Sequence, residues 1–296
     1  MDYQIISDSS CDLPAELAAE QNIKLVPFYV SFDGQHYEKD TNLDVQAFYQ
    51  RMVDEPGVFP LTSLPTVYDY IEAFTPCVEA GLAVVCICIT TKFSGSYNSA
   101  VTAKAMLEES HRGCVITVID ATVNTVLQGL LVLEAARMQR DGVGYTALVA
   151  RIEQIKTSGR IFFTLGGVEH LLHGGRIGKL LSVVSGHLKI KPLIVLEGGE
   201  IHSGGISLNR EKAKNKVVNM FKEHFEKTKE PPENYCFAVG KGLDHEEAVR
   251  FRDKLLQTLS DGASAIEIPI RQIGAAMGVH TGPQPLGIGL LKRYDR

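Results

Sequence analysis

At 296 residues the chain exceeds what one hydrophobic core usually serves, so two domains are expected. Its 45% hydrophobic and 22% charged residues predict a globular fold, and the formal net charge of −5 argues against a general nucleic-acid surface. The opening MDYQIISDSSCDLP lacks the basic start and apolar stretch of a signal peptide, and no run reaches the roughly 18 apolar residues of a membrane span, so no span and a cytoplasmic location are expected.

In chain order, YQIIS predicts a strand, a helix starts near Pro14, IKLVPFYV predicts a second strand, and a helix covers about Val45 to Val53. The polar DGQHYEKDT lies between the last two. LAVVCICI is a nearly continuous apolar strand, followed by a helix from about Tyr97, the strand CVITVI, and helices at Thr125–Gln139 and Tyr145–Lys156. Short apolar runs separated by helices are the pattern of a parallel sheet in an α/β domain. The six cysteines show no C-x-x-C pair and no zinc-type Cys/His spacing. Cys86 and Cys88 fall on one strand face and read as buried thiols, so no metal is expected.

Beyond Thr157 the texture changes. KPLIVLEGGEIHSGG predicts a hairpin turning at Gly198 and Gly199. A charged helix from Asn209 to Lys227, the breaker EPPENY, the strand YCFAV, a helix from Asp244 to Leu259, and SAIEIPI continue in α+β fashion. The expected architecture is therefore an α/β domain at 1–156 with a parallel sheet and an α+β domain at 157–296.

Five stretches carry polar chemistry. SGSYNSA follows a strand and opens a helix, where unpaired N–H groups and the helix dipole favour an anion; an N-cap role for Ser94 is the plainer reading. SDSSCDLP also links strand to helix, and loops after successive parallel strands meet at one sheet edge, so Ser7–Ser10 and Ser94 are expected to share a crevice. Turn and cap roles are the simpler reading of Asp8 and Asp12. LTSLPTVYDY places Thr62 and Ser63 ahead of a helix, as a capping turn would. GGVEHLLHGGRIGKLLS contains Gly178-Lys179 but fails the phosphate-loop pattern, because His173 stands at the first glycine position and Leu180 replaces Ser or Thr. It predicts a short helix ending at Gly174-Gly175 that presents Arg176. Finally, GVHTGPQPLGIGLL sets His280 among small residues that let a ligand or another backbone come close. Ser94 and His280 also raise a serine acyl hydrolase, although Lys92 occupies the first glycine position of a nucleophile elbow and no third triad member is evident.

Together, SDSSCDLP, TSLP, SGSYNSA, LLHGGRI and GVHTGPQP, in this order from about Tyr3 to Leu291, resemble the DegV family of bacterial fatty-acid-binding proteins. The resemblance implies one long-chain fatty acid held between an N-terminal α/β and a C-terminal α+β domain. It implies an acyl-carrying subunit that presents the acid to a separate ATP-dependent fatty acid kinase subunit for phospholipid synthesis, with no ATP site and no cofactor of its own; a lipid-sensing regulatory module is the neighbouring alternative. By position it makes Thr62 and Ser94 donors to the carboxylate, adds His280 to the head site, and places Arg176 and Gly95 nearby for presentation or transfer. Four departures from the family pattern, Gln284 and Pro285 after HTGP, Ala121 after CVITVI, and Leu208 in GGISLNREK, bear on tail selectivity and the kinase-docking surface.

Overall fold

The computed structural model describes residues 1–180, 190–259 and 266–296. Leu181 and Ser182 of GGVEHLLHGGRIGKLLS, and Ser264 and Ala265 of SAIEIPI, lie outside the described residues.

A four-stranded parallel sheet is formed by β1 (Tyr3–Asp8), β2 (Ile23–Val26), β6 (Ala83–Cys88) and β7 (Ile116–Asp120), in the order β2-β1-β6-β7. Its strands β1 and β6 are buried along their whole length, as near-continuous apolar runs covered on both faces must be. The connecting helices are α1 (Ala15–Glu20), α3 (Val67–Glu79), α4 (Ser96–Ser110), α5 (Thr125–Arg140) and α6 (Tyr145–Ile155).

IKLVPFYV is not one strand. It breaks at Pro27, which has no N–H for the ladder and a fixed φ. β2 stops at Val26, and β3 (Tyr29–Ser31) turns away into a small antiparallel sheet with β4 (Glu38–Lys39) and β5 (Leu61–Ser63). This layer carries Thr62, paired with Val30, and packs beside α2 (Val45–Asp54).

The third sheet has the order β10-β9-β8-β13-β11-β12, from β8 (Arg160–Thr164), β9 (Lys191–Glu197), β10 (Glu200–Ser207), β11 (Tyr235–Lys241), β12 (Ile270–Gln272) and β13 (Leu286–Lys292). Gly198 and Gly199, at φ 59° and 85°, close the β9–β10 hairpin as a two-residue turn with both φ positive requires. Of the SAIEIPI stretch, residues 266–269 are irregular and pairing with β11 begins at Ile270, just after Pro269. One face of this sheet is covered by α8 (Arg210–Thr228) and α9 (His245–Leu259), through Val217, Phe221, Phe251 and Leu255.

The other face receives α5, which packs on both large sheets with Val126, Leu127, Leu130 and Leu131 buried. Gly129 permits the approach: a Cβ there would lie 2.5 Å from the Cys11 carbonyl oxygen. Two short helices complete the molecule, α7 (Glu169–His173) and α10 (Ala275–Thr281), which touch each other; α10 also packs against α2 and β3. Among the described residues no helix is long and apolar enough to cross a membrane.

Candidate functional site

The carboxyl ends of β1 and β6 are tied to α4 and α5 by one buried aspartate. Asp8 Oδ2 accepts the Ile89 N–H at 3.0 Å and the Ser96 hydroxyl at 2.8 Å, while Oδ1 accepts Gln128 Nε2 from α5 at 2.9 Å. Gln128 also reaches Ser7 and Ser10, and the Ser96 oxygen lies 2.6 Å from the Tyr70 hydroxyl. Asp8 is thus more than a turn residue. Burial raises its pKa, and four hydrogen bonds oppose that shift by favouring the anion. Ser7–Ser10 do not share a crevice with Ser94. They are buried beneath its loop, because their hydroxyls are consumed in this network and in the Ser9–Asp40 bond at 2.7 Å.

Above the network, Ser94 stands two residues before α4. Gly95 is the N-cap, and Ser94 Oγ accepts the Ser96 N–H at 3.2 Å. A Cβ on Gly95 would sit 3.3 Å from Leu64 Cδ2, so the glycine keeps the SGSY loop close to the TSLP segment. Thr62 and Ser63 do not cap α3; Thr66 does, in a capping box in which its Oγ1 accepts the Asp69 N–H and Asp69 accepts the Thr66 N–H at 2.7 Å. Thr62 is therefore free of the helix.

His280 belongs to α10, at its penultimate position, and not to a loop. Its Nε2 lies 3.1 Å from Thr62 Oγ1. Its Nδ1 is buried without a partner and rests against Gly174, where any Cβ would collide with it. The reciprocal contact is Gly282, at φ 74°, whose Cβ would lie 2.7 Å from His170 Cδ2. The GG of LLHGGRI and the G of HTGP therefore interlock, each admitting a histidine of the other segment. Burial, with the Arg176 charge and His170 adding to it, lowers the His280 pKa to about 4, so the ring is neutral at pH 7.

Arg176 follows the α7 turn as the sequence predicts, with Gly175 at φ 66°. It is exposed, donates from Nε to the Phe93 carbonyl at 3.2 Å, and makes no ion pair among the described residues. Thr62, Ser94, Arg176 and His280 line one cavity of about 250 Å³. The rest of its wall is largely apolar, with Phe28, Ile89 and Met277 on one side and Ile161, Phe163 and Leu196 from the mixed sheet on the other. Hydroxyls, a neutral imidazole and an exposed guanidinium beside an apolar hollow suit an amphiphile with an anionic head. A Ser–His hydrolase is not assembled: His280 Nε2 faces Thr62, and among the described residues no carboxylate reaches Nδ1. Among the described residues no group of three or more His, Cys, Asp or Glu is arranged to hold a metal.

The motif residues Thr62, Ser94, Arg176 and His280 meet as four distant segments, while Gly95 stands behind the cavity wall. The sequence reading missed Gly174 as the seat of His280, and the signal for it was the doubled glycine. It also missed Asn124 and Thr125, which line the cavity from the start of α5 and carry no motif.

Known proteins resemble this chain in sequence and in fold. A family model described as "Uncharacterised protein, DegV family" matches residues 2–293. A DegV domain-containing protein of Clostridium perfringens is 28% identical over 292 residues, covering 98% of this chain and 97% of the relative. A solved structure from Eubacterium ventriosum, described as a stearic acid-binding protein, superposes with a TM-score of 0.91 at 40% identity over 99% of both chains. A Thermus thermophilus structure described as fatty acid binding of a DegV family protein gives 0.87 at 25% identity, over 99% of this chain and 100% of its own.

Proposed function

The chain belongs to the DegV family, and from that premise we propose that it binds one long-chain fatty acid and presents the carboxylate to a separate ATP-binding kinase subunit. The observation that carries this reading is the Thr62–His280 pair at one end of an apolar cavity that Ser94 and Arg176 also line. In the tautomer that carries its proton on Nε2, neutral His280 donates to Thr62 Oγ1, which leaves the Thr62 hydroxyl proton free to point at a carboxylate oxygen. The Ser94 hydroxyl, already accepting from Ser96 N–H, likewise has its proton free to donate. Arg176, near the head and exposed, supplies positive charge for the anion and for phosphate oxygens arriving from outside. In the transfer a carboxylate oxygen bonds the γ-phosphorus of ATP held on the partner, and ADP departs.

The tail sets affinity and the head sets position. Burying an acyl chain is worth about 0.8 kcal/mol per methylene, so roughly 15 of them give a gross term of order 12 kcal/mol before ordering costs. Each hydrogen bond to the carboxylate adds about 1.5–3 kcal/mol. The two domains expected at 1–156 and 157–296 are part of this proposal, supported by a parallel sheet drawn only from residues before 121 and a mixed sheet drawn only from residues after 159.

The experiment is a reconstitution with labelled fatty acid, ATP and the matched kinase subunit, trapping acyl-phosphate with hydroxylamine. His280→Ala is expected to keep affinity within about tenfold of wild type while acyl-phosphate formation falls by tenfold or more. Unchanged transfer in that variant would remove His280 from the head site, and no acyl-phosphate with the wild-type protein would remove the presenting role.

A further inference from the structure

Asn124 stands directly before α5, where an asparagine ordinarily turns its side chain back to accept first-turn N–H groups. It does not do so here. Its backbone is extended, at φ −146° and ψ −178°, and its side chain makes no capping bond. The residue lines the cavity instead. Among the described residues the partner of its amide is the Met277 thioether, with Nδ2 3.9 Å from Sδ. Thioether sulfur is a weak acceptor, and the amide oxygen has no protein partner among the described residues.

Met277 touches Asn124, and Val126, Ile273 and Ala276 line the same cavity; Thr125, next in sequence, is the nearby polar residue of the lining, and its Oγ1 already accepts the Val126 N–H. A saturated chain laid past the amide would strip water from it and return no hydrogen bond. A hydroxyl at that depth would satisfy both ends of the amide, accepting from Nδ2 and donating to Oδ1. Depth follows from α10, which gives His280 and Thr281 to the head end and Met277 to the wall three residues earlier, about 4.5 Å along the helix axis. Asn124 therefore meets the chain not far below the carboxylate.

Resting on the fatty-acid reading above, we propose that Asn124 is a specificity-determining residue that selects acyl chains carrying a hydroxyl group in the carboxyl-proximal half. The hydroxyl takes the place of Met277 Sδ as partner of Nδ2, and the thioether returns to purely apolar packing.

The test is competition binding, read by native mass spectrometry, between stearic acid and a positional series of monohydroxylated stearic acids running from the carbon beside the carboxylate to mid-chain. One isomer, or two adjacent ones, should bind about tenfold more tightly than stearic acid. Asn124→Leu should abolish that preference and bind stearic acid at least as well as wild type; Asn124→Ala should abolish it too. Neither change removes a capping bond, and melting curves monitor the fold. Stearic acid binding with no isomer preferred by the native protein overturns this inference alone. A preference that survives in folded Asn124→Leu and Asn124→Ala also overturns it. Absence of binding by every acid in the series overturns it together with the fatty-acid reading.

Discussion

His280 and Asp12 show how burial moves pKa values in opposite directions around one helix, each toward the neutral form. His280, at the end of α10, is held neutral with a pKa near 4, below its usual 6.5. The unfolded chain takes up that proton first as pH falls, so this residue costs stability progressively from about pH 6.5 down to 4. Asp12, at φ 52°, accepts the Gly274 N–H at 2.9 Å just ahead of the same helix, and its Oδ2 is buried without a partner. Burial pushes its pKa up to about 8, and Asp40 nearby to about 7. An acid whose folded pKa is raised contributes stability that is fully present below the unfolded value of 3.8 and is lost as pH rises through the folded one. Asp12→Asn keeps an acceptor for Gly274 and cannot ionise. Melting curves across pH should therefore show wild type and variant converging near pH 4 and the variant more stable by at least about 1 kcal/mol above pH 8. Parallel profiles at all pH values would show that Asp12 does not carry the proton assigned to it.

Elements whose apolar period is uninterrupted were legible from the chain itself: β1, β6 and α5 fall where YQIIS, LAVVCICI and Thr125–Gln139 predict them. Elements that depend on a distant partner were not. β3 leaves β2 at Pro27 because Tyr29–Ser31 have β4 and β5 to pair with, and α10 hides inside glycine-rich text because its packing partners, α2, α7 and β3, lie far away in sequence. Gln284, which the motif left unexplained, sits against Gly166: a Cβ there would be 2.7 Å from Gln284 Oε1. Nothing in the structure explains Leu208, which is 75% exposed. The interlock of α7 with α10 gives a test at this scale. Gly174→Ala places a methyl group where His280 Nδ1 lies, so the ring must shift away from Thr62. Fatty-acid affinity is expected to fall about tenfold, with a lowered melting temperature from crowding a buried ring; affinity equal to wild type in the folded variant would show that Gly174 does not seat the ring.

At the scale of the molecule, the parallel sheet and the mixed sheet share α5 and leave one cavity that neither could enclose alone. The N-terminal half supplies Thr62 and Ser94, the C-terminal half Arg176 and His280, and both supply apolar wall. Sequence motifs pointed to the polar residues that line the cavity because hydroxyls, histidine and paired glycines are rare enough in combination to stand out. The apolar wall, with Phe28, Ile161, Phe163 and Leu196, was silent because such residues are indistinguishable from ordinary core in a linear chain. The central claim, that this cavity holds a fatty acid by its carboxylate at Thr62, Ser94 and His280, is tested most directly by carbon NMR of stearic acid labelled at the carboxyl carbon. A single protein-bound resonance distinct from free acid is predicted, moving in Thr62→Val, Ser94→Ala and His280→Ala while binding persists through the tail. No bound resonance, or one that none of the three substitutions moves, would contradict the account.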